Sequence, residues 1–273
     1  MRGTTKSQGP KNALDKFYTK PEIAAQCLGM LDLNEFSLCI EPSAGSGSFS
    51  SLLPQNSLAL DLAPESEGII KQNFFEFVPP ATTGKILVIG NPPFGQQNSL
   101  AVRFINHAAF FADVIAFIVP RSFDKPSVQN RIHRNLHLKS STVLPVKAFT
   151  LEGVDYAVPC VFQIWEKRDT VRDLHFLKTS TDYFTFVKKN DSPDFSIRRV
   201  GGNAGKASLN VNVSDQSNYF VKVPAGTSAA ALVDFISTLN FPMRDLGVGP
   251  RTISKGELIQ VFEQAKLSAP LAD

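Results

Sequence analysis

The sequence predicts an α/β fold: a mostly parallel sheet of seven strands closed by a final antiparallel hairpin, followed by a smaller α+β module. Three observations carry this reading. Short apolar runs alternate with helix-patterned stretches from about residue 20 to 168, the pattern of βαβ units feeding a parallel sheet. The last two runs, at 141–149 and 158–167, are separated only by 150–157, which leaves no room for a crossover helix and requires an antiparallel pair. Beyond Arg168 the chain becomes strand-like and polar, then helical. A domain boundary is therefore placed at residue 168, with 1–168 as the first domain and 169–273 as the second.

The seven runs are 37–40, 57–62, 72–78, 85–90, 114–120, 141–149 and 158–167. Helices are expected at 20–31, 97–111 and 126–136. The first carries Thr19-x-x-Glu22 as a capping box with Pro21 in its first turn, a pattern that satisfies the free N–H groups of a helix start. Phe104, Phe110, Phe111 and Phe117 read as core. In the second domain, strand patterns at 182–189, 195–200, 208–213 and 218–223 precede helical stretches at 227–239 and 255–265, the latter opened by Ser254-x-x-Glu257.

With 273 residues, 43% of them hydrophobic, the chain buries a sizeable core. Its longest apolar stretch, 108–120, is interrupted by Asp113 and is too short to span a bilayer, and the first residues lack an apolar segment, so neither a membrane segment nor a signal peptide is expected. Cys27, Cys39 and Cys160 are odd in number and lack a CxxC pair, which points to an intracellular, reduced protein without a zinc site. His133 and His137 lie four apart on an expected helix, but Arg131, Arg134 and Lys139 surround them, so no metal is expected. The net charge of +3 is small, and its distribution says more. Arg2, Lys6, Lys11, Lys16 and Lys20 face one acid, Asp15, and Arg198 and Arg199 precede a glycine-rich loop that holds Lys206. Such clusters either track phosphates or form an ordinary solvated face.

Two motifs carry chemistry. Asn91-Pro92-Pro93-Phe94 follows the run KILVIG, at a strand's carboxyl end, where open α/β sheets bind ligands. Its two prolines stiffen the loop. The Asn91 side-chain oxygen and the carbonyl between the prolines can accept both hydrogens of a planar exocyclic amine, with Phe94 as a flat face. The second motif, EPSAGSGSF at 41–49, follows the first strand, and Asp61 ends the next. An acid there commonly binds ribose hydroxyls. The third glycine of a dinucleotide fingerprint is replaced by Ser50, which favours a single nucleoside.

In their order, Phe17-Tyr18-Thr19, EPSAGSGSF, LDL with Asp61, NFFEF and NPPF resemble the amino-methyltransferases that use S-adenosyl-L-methionine, most closely the gamma-type N6-adenine-specific DNA enzymes. The resemblance covers about residues 15–168 and implies a Rossmann-like seven-stranded methyltransferase sheet. It implies that Tyr18 and Thr19 lie at the methionine end of the cofactor, Thr19 touching its carboxylate. Glu41, Ala44, Gly45 and Gly47 would form the cofactor loop, with Asp61 on the ribose, Leu62 beside the adenine ring, and Asn73 and Phe74 at its amine. Asn73 stands where the family has Asp. Asn91, Pro92, Pro93 and Phe94 would hold the target base as catalytic residues, with Tyr156 or Phe149 on its other face. The implied reaction is methyl transfer to the N6 of adenine in nucleic acid, DNA ahead of RNA. Arg198, Arg199 and Lys206 would bind substrate in a target-recognition module. A guanine amine in ribosomal RNA, a protein glutamine, or a non-catalytic binding role for the same fold are the alternatives.

Overall fold

The computed structural model describes residues 17–151, 153–176, 178–246 and 250–268; the basic residues Arg2, Lys6, Lys11 and Lys16 lie outside them. Two units emerge, one from residues 1–120 and 131–173, the other from 121–130 and 174–273. In the first, the elements are β1 (Tyr18–Thr19), α1 (Pro21–Leu28), β2 (Phe36–Glu41), β3 (Ser57–Asp61), β4 (Ile70–Lys71), β5 (Lys85–Gly90), α2 (Ser99–Ala108), β6 (Val114–Pro120), β7 (Leu136–Val143), β8 (Phe149–Leu151), β9 (Val154–Tyr156) and β10 (Cys160–Lys167).

Seven strands form one sheet in the order β4-β3-β2-β5-β6-β10-β7. Every pair from β4 to β6 is parallel, and β10 alone is reversed, running antiparallel to both β6 and β7. The central strands are near-continuous apolar runs because both faces are covered: five of the six residues of β5 and six of the seven of β6 are buried. Cys27, Cys39 and Cys160 lie in this core as free thiols. A second sheet joins β1, β8 and β9. On the outer strand β7, Lys139 forms a bulge, since Ser140 pairs with Ile164 and Leu138 with Trp165; Lys139 then reaches Glu166 at 2.6 Å.

The expected strand at 72–78 is instead a turn. Asn73 accepts from the Phe75 amide, and only Ile70–Lys71 pairs with β3, because a short amide side chain offers the backbone a local partner that competes with the ladder. The expected helix at 126–136 ends at Gln129. Asn106 holds the following segment, donating to the Arg131 carbonyl and accepting from the His133 amide. The strand thus starts at Leu136 rather than 141, and Phe149 passes to β8. His133 and His137 consequently share no helix. The first capping box is also absent: Thr19 belongs to β1, and Lys20 starts α1 without a side-chain cap, leaving Pro21 in the first turn. Phe110, expected in the core, is exposed, since α2 ends at Ala108.

The second unit contains α3 (Pro126–Gln129), β11 (Thr185–Val187), β12 (Phe195–Arg198), β13 (Ala207–Ser208), β14 (Asn218–Lys222), α4 (Ala229–Thr238) and α5 (Lys255–Ser268). Its sheet is antiparallel throughout, in the order β11-β14-β12-β13. Phe195, Ile197 and Val221 share a core with Leu232, Ile236 and Phe262. Ser228 and Ser254 cap the two longer helices, accepting from Ala231 and Glu257 amides. Glu257 does not close the box, because its carboxylate accepts from the Met243 amide.

Among these contacts, one close approach positions the site. Gly90, the last residue of β5, has φ +149°, and a methyl group there would meet Glu41 Cγ at 3.2 Å. Gly90→Ala is expected to cost ~1–3 kcal/mol through backbone strain and the displaced Glu41. Urea denaturation checks this, and an unchanged midpoint would show that the approach tolerates a side chain.

Candidate active site

The parallel strands β2, β3 and β5 end side by side with Glu41, Asp61 and Gly90. At these carboxyl ends lies a cavity of ≈ 540 Å³, within the size range of small-molecule sites. It is lined by Tyr18, Thr19, Glu41, Ala44, Gly45, Asp61, Leu62, Asn73, Phe74, Asn91 and Pro93. The sheet therefore brings most of the residues named from the sequence to one place.

The two acids are handled differently. Asp61 accepts from the Gly45 amide at 2.8 Å through one oxygen and from the Ala63 amide at 2.8 Å through the other. Each oxygen keeps a lone pair for a ligand hydroxyl. Gly45 turns at φ +53°, a conformation that glycine adopts without Cβ strain. Glu41 is only 2% exposed and accepts from the Ser50 amide at 2.8 Å. Burial pushes its carboxyl up to about 8, opposed by the bonds from Ser50 and reinforced by the charge of Asp61.

Over the glycine loop lies Tyr18. Its hydroxyl donates to the Glu65 carboxylate at 2.7 Å, and the Glu65 amide donates to the Gly45 carbonyl. Ser48 donates to the Thr19 carbonyl at 2.6 Å, which fixes β1 against the same loop. The Thr19 hydroxyl is buried with no hydrogen-bond partner. Glu65 went unread in the sequence. Its signal was a second carboxylate four residues past Asp61, visible only once Tyr18 is known to reach it.

Asn91 presents the other unsatisfied group. Its Nδ2 donates to the Phe17 carbonyl at 3.2 Å, and reversing the amide would set two acceptors against each other. Oδ1 is thereby left as a buried acceptor with no partner, a state that costs ~1–3 kcal/mol until a donor arrives. Ser43 donates to the Asn91 carbonyl at 3.3 Å and steadies the backbone.

Some expected positions lie elsewhere. Phe94, 9% exposed, belongs to the core, and its ring lies 6.4 Å from that of Phe17. Phe149 is fully buried in the same core and has no face to offer a ligand. Tyr156 is 40% exposed and stacks on Phe17 at 4.8 Å with 15° between planes. Phe17, read only as part of the segment Phe17-Tyr18-Thr19, is thus the ring that links Phe94 to Tyr156. Pro92 is buried, and Gly47 closes a turn onto the Ala44 carbonyl. Both side-chain groups of Asn73 are engaged, Oδ1 with the Phe75 amide and Nδ2 with Glu76. Phe74 stacks on Phe104 at 5.2 Å. Arg198, Arg199 and Lys206 belong to the second unit. There Arg198 donates to the Val200 carbonyl and Ser217, and Lys206 to the Ser237 carbonyl. These two cations are thus engaged within their own unit, while Arg199 lies over the Tyr219 ring at 5.4 Å.

Among the described residues no group of three or more His, Cys, Asp or Glu is placed to hold a metal ion, and no helix is long and apolar enough to cross a membrane. No family model matches the chain, and no curated protein matches it in sequence. Solved structures do show likeness. One is PH1948 of Pyrococcus horikoshii, described as a candidate RNA methyltransferase, at 18% identity and TM-score 0.45 over 59% of this chain and 90% of that one. Another is the 23S rRNA methyltransferase ErmE, at 12% identity and TM-score 0.43 over 57% and 71%.

The buried Glu41 makes a stability prediction. A carboxyl whose folded pKa lies near 8 instead of its ordinary 4.5 holds a proton that the unfolded chain releases, so stability falls as pH rises between those values. Glu41→Gln removes that cost while keeping an acceptor for Ser50. Its melting temperature is expected to exceed that of the unchanged protein by a margin that widens from pH 5 to pH 8. A margin constant with pH would show that Glu41 titrates normally.

Proposed function

We propose that the chain is a methyltransferase of Rossmann-like fold that moves a methyl group from S-adenosyl-L-methionine to the N6 amine of adenine in nucleic acid, with DNA ahead of RNA on the order of its motifs. The observation that carries this reading is the Asn91 amide, held so that a buried acceptor oxygen waits at the end of β5. Such an acceptor suits an N–H donor and suits neither an anion nor a hydrophobic group.

The chain's residues fit the proposed cofactor. Thr19 contributes an unpartnered buried hydroxyl, suited to the methionine carboxylate beside Tyr18. Asp61, tied to two amides, is suited to the ribose hydroxyls. Leu62, Asn73 and Phe74 line the same cavity and would flank the adenine ring. Glu41 would become ionised beside a cationic ligand, since an opposite charge favours the carboxylate. When bound, S-adenosyl-L-methionine supplies an electrophilic methyl on a sulfonium.

An aromatic amine is a poor nucleophile because its lone pair is delocalised into the ring. Asn91 Oδ1 and the carbonyl of Pro92 accept its two N–H bonds and draw the lone pair out of conjugation. Held there, the nitrogen would face the methyl group that the bound cofactor supplies, and the proton the amine must lose would pass to water. Asn91 holds the amine without taking a proton, so positioning and electrostatics carry the rate. Tyr156, the exposed ring of its group, would stack on the base once Phe17 yields its face. A base within a duplex would have to leave the stack to reach this site.

Two substitutions separate the roles. Asn91→Ala is expected to abolish transfer while leaving cofactor affinity within a few-fold, the signature of an acceptor contact. Asp61→Ala is expected to weaken cofactor binding by ~1–3 kcal/mol, read by calorimetry. Equal losses in both variants would mean that the acceptor and cofactor regions are wrongly divided. Methyl-labelled cofactor incubated with DNA, RNA and protein, followed by nucleoside analysis, tests the substrate. N6-methyladenine is expected, and label in protein alone would overturn the reading.

A further inference from the structure

The second unit has a cavity of its own, ≈ 450 Å³, between β11, β14 and the start of α5. Four cations line it, Lys188, Lys189, Arg199 and Lys255, against a single lining carboxylate, Asp215. Among the described residues none of the four is in a salt bridge, so their charge is not neutralised within the unit.

Two of the cations are held on aromatic faces. The Lys255 ammonium lies 4.7 Å from the centre of the Phe186 ring and 5.7 Å from that of Tyr219. The Arg199 guanidinium lies 5.4 Å from Tyr219. The rings meet edge-on at 5.5 Å, and the Tyr219 hydroxyl donates to the Ile253 carbonyl at 3.1 Å, which fixes the platform. Lys189 donates to the Val213 carbonyl at 2.8 Å. Cation–π contact orients a charge without cancelling it, and prior ordering of long side chains lowers the entropy lost on binding. A concave, pre-ordered cluster of uncompensated cations containing one arginine fork is chemistry for a phosphate.

We propose that this cavity is a binding site for the phosphodiester backbone of a nucleic-acid strand, with Arg199 and Lys255, both beside the Tyr219 ring, as its central contacts and Lys188 and Lys189 as flanking ones. The phosphate chemistry comes from the cavity; its assignment to a strand rests on the nucleic-acid reading above.

Fluorescence anisotropy of the full chain with a labelled single-stranded oligodeoxyadenylate, titrated at several salt concentrations, tests this. For Arg199→Gln/Lys255→Gln, affinity is expected to fall on the order of tenfold at low salt, and the slope of log affinity against log salt to shrink by ~1.4, at ~0.7 per phosphate contact on a single strand. Lys188→Gln/Lys189→Gln, at exposed positions, is expected to shift both quantities in the same direction, and circular dichroism melting verifies that each variant is folded. Lys178→Gln/Lys222→Gln removes equal charge from residues already paired with Glu263 and Asp194, and is expected to keep affinity within about twofold. Unchanged binding in both cavity variants would overturn the proposal, as would an equal loss in the control. Displacement of the strand by inorganic phosphate beyond that by chloride of equal ionic strength would overturn it in favour of a small-anion site. If the unchanged protein methylates nucleic acid while the cavity variants bind normally, only this proposal fails. If the cavity variants lose binding but no nucleic acid is methylated, the cavity stands and the methyl-transfer reading fails.

Discussion

Two carboxylates end adjacent parallel strands, and backbone amides are what allow them to sit there. Like charges at neighbouring strand ends repel, and burial penalises whichever remains ionised. Asp61 is compensated by the Gly45 and Ala63 amides, while Glu41, deeper, answers the same constraint with a raised pKa. The glycine loop follows from this arrangement: its amide must face Asp61, its carbonyl must accept from Glu65, and its underside must leave Glu41 room beside Gly90. The cavity is the space these requirements leave.

The sheet was legible because its central strands are apolar on both faces, a pattern that survives any error of a residue or two at their ends. Glu41, Asp61 and Asn91 could be placed for the same reason, each being the residue at or just past the end of such a strand. What could not be read were choices decided by single polar side chains. Asn73 converts an apolar run into a turn by bonding the amide two residues on. Asn106, distant in sequence, fixes the segment that shortens the third helix. Nor could periodicity distinguish an aromatic ring that lines a site from one that fills the core, which is why Phe94 and Phe149 are buried while Phe17 joins the exposed Tyr156.

The second unit illustrates a related limit. Arg198, Arg199 and Lys206 are close in sequence, yet their contacts differ. Arg198, the last residue of β12, donates to the Val200 carbonyl and Ser217, whereas Arg199 just beyond the strand lies over Tyr219. Arg199 instead meets Lys255, 56 positions later in the chain, across Tyr219.

The reversed strand β10 has a consequence beyond topology. By entering between β6 and β7 it leaves the polar β7 as one outer strand of the sheet and the two-residue β4 as the other. An outer strand exposes unpaired backbone groups that can recruit another chain. Here one border is too short to template a partner, and the other is kinked by the bulge at Lys139, whose charge is tethered to Glu166. The arrangement that completes the sheet also discourages its extension, so that the wide apolar interior needed to build the cavity does not bring with it an edge prone to aggregation.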